Sequence, residues 1–186
     1  MGTMNFAIKC TVTALASSVW FSLPARSQTA VLDDLFAQLK TADAAQAIQI
    51  SQQIQEEWSK SGSASIDMLN RMGQMALAEG DYPAAIDHFS AAIDHAPEFA
   101  EAYNGRATAF YLMGQIGPSI EDIRVTLALN PRHFGAMIGF ASILEEIDRS
   151  EDALEVYQRI HDLVPADENV HDAIDRLQLL LGGQTL

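Results

Sequence analysis

Five histidines and a run of acids are the side chains that could do chemistry in this sequence. The histidines are His88, His95, His133, His161 and His171, and the acids cluster as Glu145-Glu146-Ile147-Asp148 and Glu151-Asp152. His88 and His95 share a helix face, but seven residues of helix separate them by roughly 10 Å along the axis. A metal ion needs its ligands about 2 Å away, so that pair alone cannot chelate one. The acidic run has the composition of a carboxylate acid/base pair but no histidine, lysine or metal motif beside it, and it reads as a solvated edge. No glycine-rich phosphate loop, nucleophile elbow or HExxH stretch occurs. No catalytic residue, metal site or cofactor is indicated, and the chain reads as a binding protein and not an enzyme.

The elements that would position a binding surface follow from a period. Pro97, Pro131 and Pro165 recur every 34 residues and divide the chain into Ile66–Phe99, Ala100–His133 and Phe134–Asp167. In each unit an apolar residue stands fourth (Leu69, Tyr103, Met137) and a small one eighth (Gly73, Ala107, Ala141). A turn residue stands fifteenth (Gly80, Gly114, Asp148), a small residue twentieth (Ala85, Ser119, Ala153) and a bulky one twenty-fourth (Phe89, Ile123, Tyr157). In the middle unit Tyr103, Ala107, Phe110 and Tyr111 define the buried side of a first helix, and Ile120, Ile123 and Leu127 that of a second. Gly114 supplies the left-handed residue that ends the first helix, and Pro118 falls in the first turn of the second. The small residues mark where the two helices cross closely. One such hairpin cannot bury its own apolar face, so the units must stack.

These residues resemble the tetratricopeptide repeat (TPR), a 34-residue helix–turn–helix unit with small residues at its eighth and twentieth positions. The resemblance covers residues 66–165. It implies an all-α fold, an α-solenoid of stacked antiparallel helix hairpins. Asp148 departs from the pattern where glycine is expected and predicts a strained or differently shaped turn; Ser119 replaces an alanine at the closest crossing. The resemblance also implies a concave groove lined by the first helix of each unit. Carried over by position, its candidate binding residues are Asn70, Gln74, Leu77, Asn104, Thr108, Tyr111, Ile138, Ser142 and Glu145. Chaperone-binding members of the family clamp a partner's terminal carboxylate with lysine, arginine and asparagine. Those positions here read Asn70, Gln74, Gly105, Gly135 and Gly139, with no cation, so that role is rejected.

The flanks read as end pieces. Leu32, Leu35, Phe36 and Leu39 share one helix face, and Ala47, Ile50, Ile54 and Trp58 another, so residues 28–65 form a helical pair that is a degenerate repeat or a cap. Residues 168–186 give a capping helix and tail, with Val170, Ile174, Leu177 and Leu181 inward, Glu168, Asp172, Asp175 and Arg176 facing away, and Gly182-Gly183 ending the helix. The first 27 residues read as a cleavable secretory signal peptide: Lys9, then fourteen mostly apolar residues, then Pro24-Ala25-Arg26-Ser27 with small residues before the cut. That predicts export to the periplasm, with no stable membrane insertion after cleavage. The one cysteine, Cys10, falls inside this segment. The net charge of −14, from 25 acidic and 11 basic residues, repels polyphosphate, which excludes nucleic acid as an expected partner. The signal segment combined with the repeat points to an exported adaptor whose groove binds a protein or peptide partner, in an envelope-assembly or cell-division setting; the chain resembles small exported proteobacterial TPR proteins, many of them with no assigned role. The alternative is a structural subunit that forms a homo-oligomer through its end helices.

Overall fold

A computed structural model describes residues 24–183; the signal segment and Cys10 lie outside the described residues. The elements are α1 (Pro24–Leu39), α2 (Ala44–Trp58), α3 (Ala64–Glu79), α4 (Tyr82–His95), α5 (Ala100–Leu112), α6 (Ile116–Leu129), α7 (Phe134–Glu146), α8 (Ser150–Leu163) and α9 (Glu168–Gly183). No strand occurs among the described residues. Helices α3/α4, α5/α6 and α7/α8 pair as hairpins, α4 packs on α5, α6 on α7 and α8 on α9. This is the all-α solenoid that the period implies. α9 is described through Gly183, the second of the two glycines at which the sequence placed its stop.

All three hairpins turn in the same way. Gly80 and Gly114 adopt φ of 79° and 71°, and Asp148 adopts 59°. In each turn the residue at positive φ donates its N–H three residues back, and the next residue donates five back: Gly80 to Leu77 and Asp81 to Ala76, Gly114 to Tyr111 and Gln115 to Phe110, Asp148 to Glu145 and Arg149 to Leu144. Those paired bonds satisfy carbonyls that the helix end leaves orphaned. The third turn is therefore strained, as expected, but not differently shaped. A side chain in this region costs about 1–2 kcal/mol relative to a right-handed residue, less for Asp than for most. Asp148→Gly is expected to raise stability by up to about 1 kcal/mol, read as a higher urea midpoint with unchanged slope.

The small positions sit at the crossings, where Ala85, Ala107, Ser119, Ala141 and Ala153 are all buried. Ser119 is tolerated because its Oγ donates to the Ala107 carbonyl at 2.9 Å, so the hydroxyl replacing a methyl is not left unpaired. Phe89 is fully buried between Gly73 and Gly105; a Cβ added at those glycines would lie 2.6 and 2.4 Å from its ring.

The α1/α2 pair forms, with the capping box of Asp43 and Gln46 starting α2. It does not stack ahead of α3 as a fourth repeat, nor cap that end of the solenoid. Phe36 and Trp58 instead pack against Phe134, and the Trp58 ring stacks on His133 at 4.4 Å. Arg132 lies 4.4 Å above the Phe36 ring and reaches Asp33 at 2.8 Å. The pair thus rests along the edge made by the turns between repeats. The physical reason is local: His133 and Phe134 offer an aromatic platform there, and α2 ends in the tryptophan that covers it. His133 is held in place by its own bonds, Nδ1 accepting from Ala136 N–H at 3.1 Å and Nε2 lying 2.9 Å from Glu101.

Candidate partner-binding groove

The first helices of the three units, α3, α5 and α7, carry the nine candidate residues, and the structure divides them. Asn104, Thr108 and Tyr111, on successive turns of α5, converge with Gly135, Ala136, Gly139 and Ile143 of α7 on one cleft. Ser119 and Ile123 of α6 reach its floor. Thr108 is exposed and its hydroxyl donates to the Asn104 carbonyl at 3.0 Å. The Tyr111 hydroxyl bonds the Glu146 carboxylate, tying the far end of the cleft together. That bond keeps the phenol protonated to higher pH than usual.

The cleft exists because α7 carries two glycines. At Gly139 a Cβ would meet nothing nearer than Ile123 Cδ1 at 4.0 Å, and at Gly135 nothing nearer than the His133 ring at 3.5 Å. Packing inside the chain does not demand glycine at either position, in contrast to Gly73 and Gly105. Helix propensity disfavours glycine by roughly 1 kcal/mol against alanine. The missing side chains leave room for something else.

The other candidates lie elsewhere. Gln74 is exposed on α3. Leu77 is half-buried and packs against the core around Phe89, while Asn70 is only 3% exposed and does not present the groove surface expected of it. Buried Asn70 Oδ1 has no hydrogen-bond partner among the described residues. Ile138 opens into a separate cleft, shared with Ile48, Ser51 and Gln52 of α2. Ser142 is half-buried and donates to the Ile138 carbonyl of its own helix at 3.0 Å.

Glu145 is engaged within the chain. Arg176 of α9 donates to both its carboxylate oxygens, at 2.5 and 3.1 Å, and the Tyr157 hydroxyl donates at 3.0 Å. Arg176 therefore does not face away; it latches the terminal helix to the third repeat. The Arg176 bond holds the Glu145 carboxyl below the usual range, with Tyr157 adding to it. Burial, then the Glu145 bond, pushes the Tyr157 phenol up. Because the native carboxyl is the stronger acid, the latch contributes fully above the ordinary glutamate pKa of about 4.3 and is lost as pH falls through the native value. Amide exchange in α9 should speed up on acidification through that window. Glu145→Gln should speed it at neutral pH and flatten the pH response; unchanged α9 protection in that variant would remove the latch.

The histidines do not assemble a site. His161 and His171 approach with ring centroids 4.6 Å apart, but no group of three histidine, cysteine, aspartate or glutamate side chains is placed to hold a metal among the described residues. No helix among them is long and apolar enough to cross a membrane.

Comparison with known proteins bears on this architecture directly. A TPR repeat family model matches residues 73–114, the segment holding α4 and α5. A TPR repeat-containing protein of Rhizobium etli is 39% identical over 153 residues, which cover 82% of this chain and 75% of that protein. The chain belongs to the TPR family. The small glutamine-rich tetratricopeptide repeat-containing protein 2 of Saccharomyces cerevisiae is 28% identical over 115 residues, 61% of this chain but only 32% of that TPR protein. Among solved structures, the first TPR of Spaghetti bound to an HSP90 peptide superposes with a TM-score of 0.61 at 21% identity, covering 64% of this chain and 95% of that one. MamA superposes with a TM-score of 0.58 at 16% identity, covering 85% and 84%. At these identities the likeness is one of fold.

Within the TPR frame, the α5 side of the cleft was legible from position numbers alone. The α7 side was less so: Gly135 and Gly139 stand at groove positions, but only geometry distinguishes them from the two glycines that Phe89 requires. Four-residue spacing of glycine on a predicted helix was the available signal.

Proposed function

We propose that this TPR protein is an exported, non-enzymatic adaptor that holds an extended peptide or partner helix in the cleft between α5 and α7. The observation that carries this reading is the room left at Gly139, bordered by Asn104, Thr108 and Tyr111. An apolar side chain of the partner would enter between Ile123 and Ile143. The Asn104 amide offers both a donor and an acceptor to a partner backbone, and Tyr111 offers a rigid aromatic wall. The Spaghetti TPR bound to an HSP90 peptide and the TPR2B–Hsp70 peptide complex of yeast Sti1 support a peptide as the class of ligand. With Asn70, Gln74, Gly105, Gly135 and Gly139 at the cation positions, recognition here rests on side-chain fit and not on a terminal carboxylate. The signal-like first segment supports a periplasmic setting, such as envelope assembly or cell division. Cleavage after Ser27 would be read from the intact mass of the protein recovered from a periplasmic fraction.

Gly139→Leu tests the groove cleanly. It fills the cleft without clashing at Cβ and improves helix propensity by roughly 0.8 kcal/mol. The expected outcome is a chain at least as stable as wild type that loses its crosslinked partner from the envelope fraction. A variant that is folded and captures the same partner undiminished would place binding elsewhere.

A further inference from the structure

The three units are related by position, so the surface each presents to its predecessor can be compared. The third, seventh and tenth positions face the preceding unit. In the second unit these are Ala102, Arg106 and Ala109; both alanines are fully buried in the core around Phe89, and Arg106 reaches Ser90 of the unit before. In the third unit they are Ala136, Phe140 and Ile143, with Ala136 and Ile143 buried and Phe140 packed on its neighbours. In the first unit they are Met68, Met72 and Met75, exposed by 50%, 37% and 62%. The α1/α2 pair lies along the turn edge and leaves this stacking surface uncovered. Ala64, Arg71 and, at the far end of the helix, Glu79 continue the same outward face at helical spacing, and all three are exposed.

The opposite end of the solenoid is uncovered as well. Leu179 and Leu180 of α9 are 80% and 47% exposed. Leu179 falls on one line with Glu168, Asp172 and Asp175, at spacings of four, three and four residues, all exposed. One end of the chain thus shows thioether side chains beside an arginine, and the other shows a leucine beside three carboxylates. Methionine adapts its shape to a facing apolar surface at little cost, which suits a contact between non-identical helices.

We infer that the outward face of α3 in one copy receives α9 of a second copy, head to tail, with Arg71 against the acidic line of α9. The contact continues between chains the stacking that already joins unit to unit within one chain. It is heterologous, so each bound copy leaves a free head and a free tail, and assembly extends with concentration. It involves neither wall of the α5/α7 cleft, and it stands or falls independently of the groove.

A pair of complementary variants decides it. Met75→Glu spoils the head, and Leu179→Glu spoils the tail; both change exposed side chains, and circular dichroism establishes that each is folded. By sedimentation velocity over a wide concentration range, the wild-type full chain is expected to gain mass as concentration rises, while each variant alone stays at the mass of one chain. An equimolar mixture of the two should reach twice that mass and stop, because one intact head meets one intact tail. Arg71→Glu should weaken wild-type association through charge alone. A wild-type chain that is monomeric throughout would overturn the inference. So would a Leu179→Glu variant that associates like wild type, since that is the signature of two α3 faces meeting each other, or a mixture that remains monomeric.

Discussion

Phe89→Ala is expected to lower the unfolding free energy by about 3–5 kcal/mol, the range for deleting a buried phenyl ring. The ring is wholly enclosed, with backbone against it at Gly73 of α3 and Gly105 of α5 and apolar side chains of the surrounding core closing the rest. The two backbone walls cannot rotate into the void, so the cavity can close by rotamer changes only from its side-chain walls. The same contact predicts a second effect of opposite origin. Gly105→Ala sets a Cβ 2.4 Å from Phe89 Cζ, which forces the ring or the helix to move at a cost of about 1–3 kcal/mol. In the Phe89→Ala background that clash is absent, and the alanine should instead recover roughly 1 kcal/mol of helix propensity. Urea unfolding of the four proteins in this cycle gives a sign reversal at position 105. Additive changes would mean that the glycine is not there for the ring.

Asp122→Ala is expected to cost about 3 kcal/mol, near the low end for breaking a buried ion pair because Arg106 keeps some solvent contact. Asp122 is buried on α6 and accepts from Arg106 Nε at 2.7 Å and Nη2 at 2.9 Å, while Nη1 donates to Ser90 of α4 at 3.0 Å. One guanidinium therefore bonds α4 and α6 from α5. The Asp122 bond raises the Arg106 pKa further above its already high value, so the guanidinium remains charged at any working pH and cannot escape by neutralising. Removing Asp122 leaves that charge facing Tyr103 and Phe110 with no carboxylate bonded to it and only the weaker field of Asp94. Arg106→Met in the Asp122→Ala background should recover much of the loss, since the uncompensated charge is then gone. If the double variant is less stable than Asp122→Ala alone, the cost comes from lost packing by the arginine stem instead.

How much of this could be read from sequence depends on whether the contact repeats. The eighth, twentieth and twenty-fourth positions recur in every copy, so Gly73, Ala107, Ser119 and Phe89 declare their role by register. The three turns repeat as well, and Asp148 follows the backbone of Gly80 and Gly114 despite its side chain. Contacts made once leave no such trace. The spacing of Phe36 and Trp58 shows that both are buried, but a helical stripe does not say against what, and the platform of His133 and Phe134 was invisible. The Glu145–Arg176 latch joins residues 31 positions apart on different helices, and only the folded chain brings them together. In the groove, register placed Asn104, Thr108 and Tyr111 on one side. It could not show that Asn70 lies buried or that Gly139 leaves a vacancy, because both depend on what neighbouring helices put beside them.

The groove can be tested in the living cell with a photo-crosslinking amino acid placed at Thr108, exposed at the rim of the cleft, and in a parallel strain at Arg124, exposed on α6. A single adduct at Thr108, absent at Arg124 and abolished by Gly139→Leu in the same chain, is the predicted result. An adduct at Arg124 with none at Thr108, or a Thr108 adduct that survives Gly139→Leu at full strength, would contradict binding in the cleft between α5 and α7.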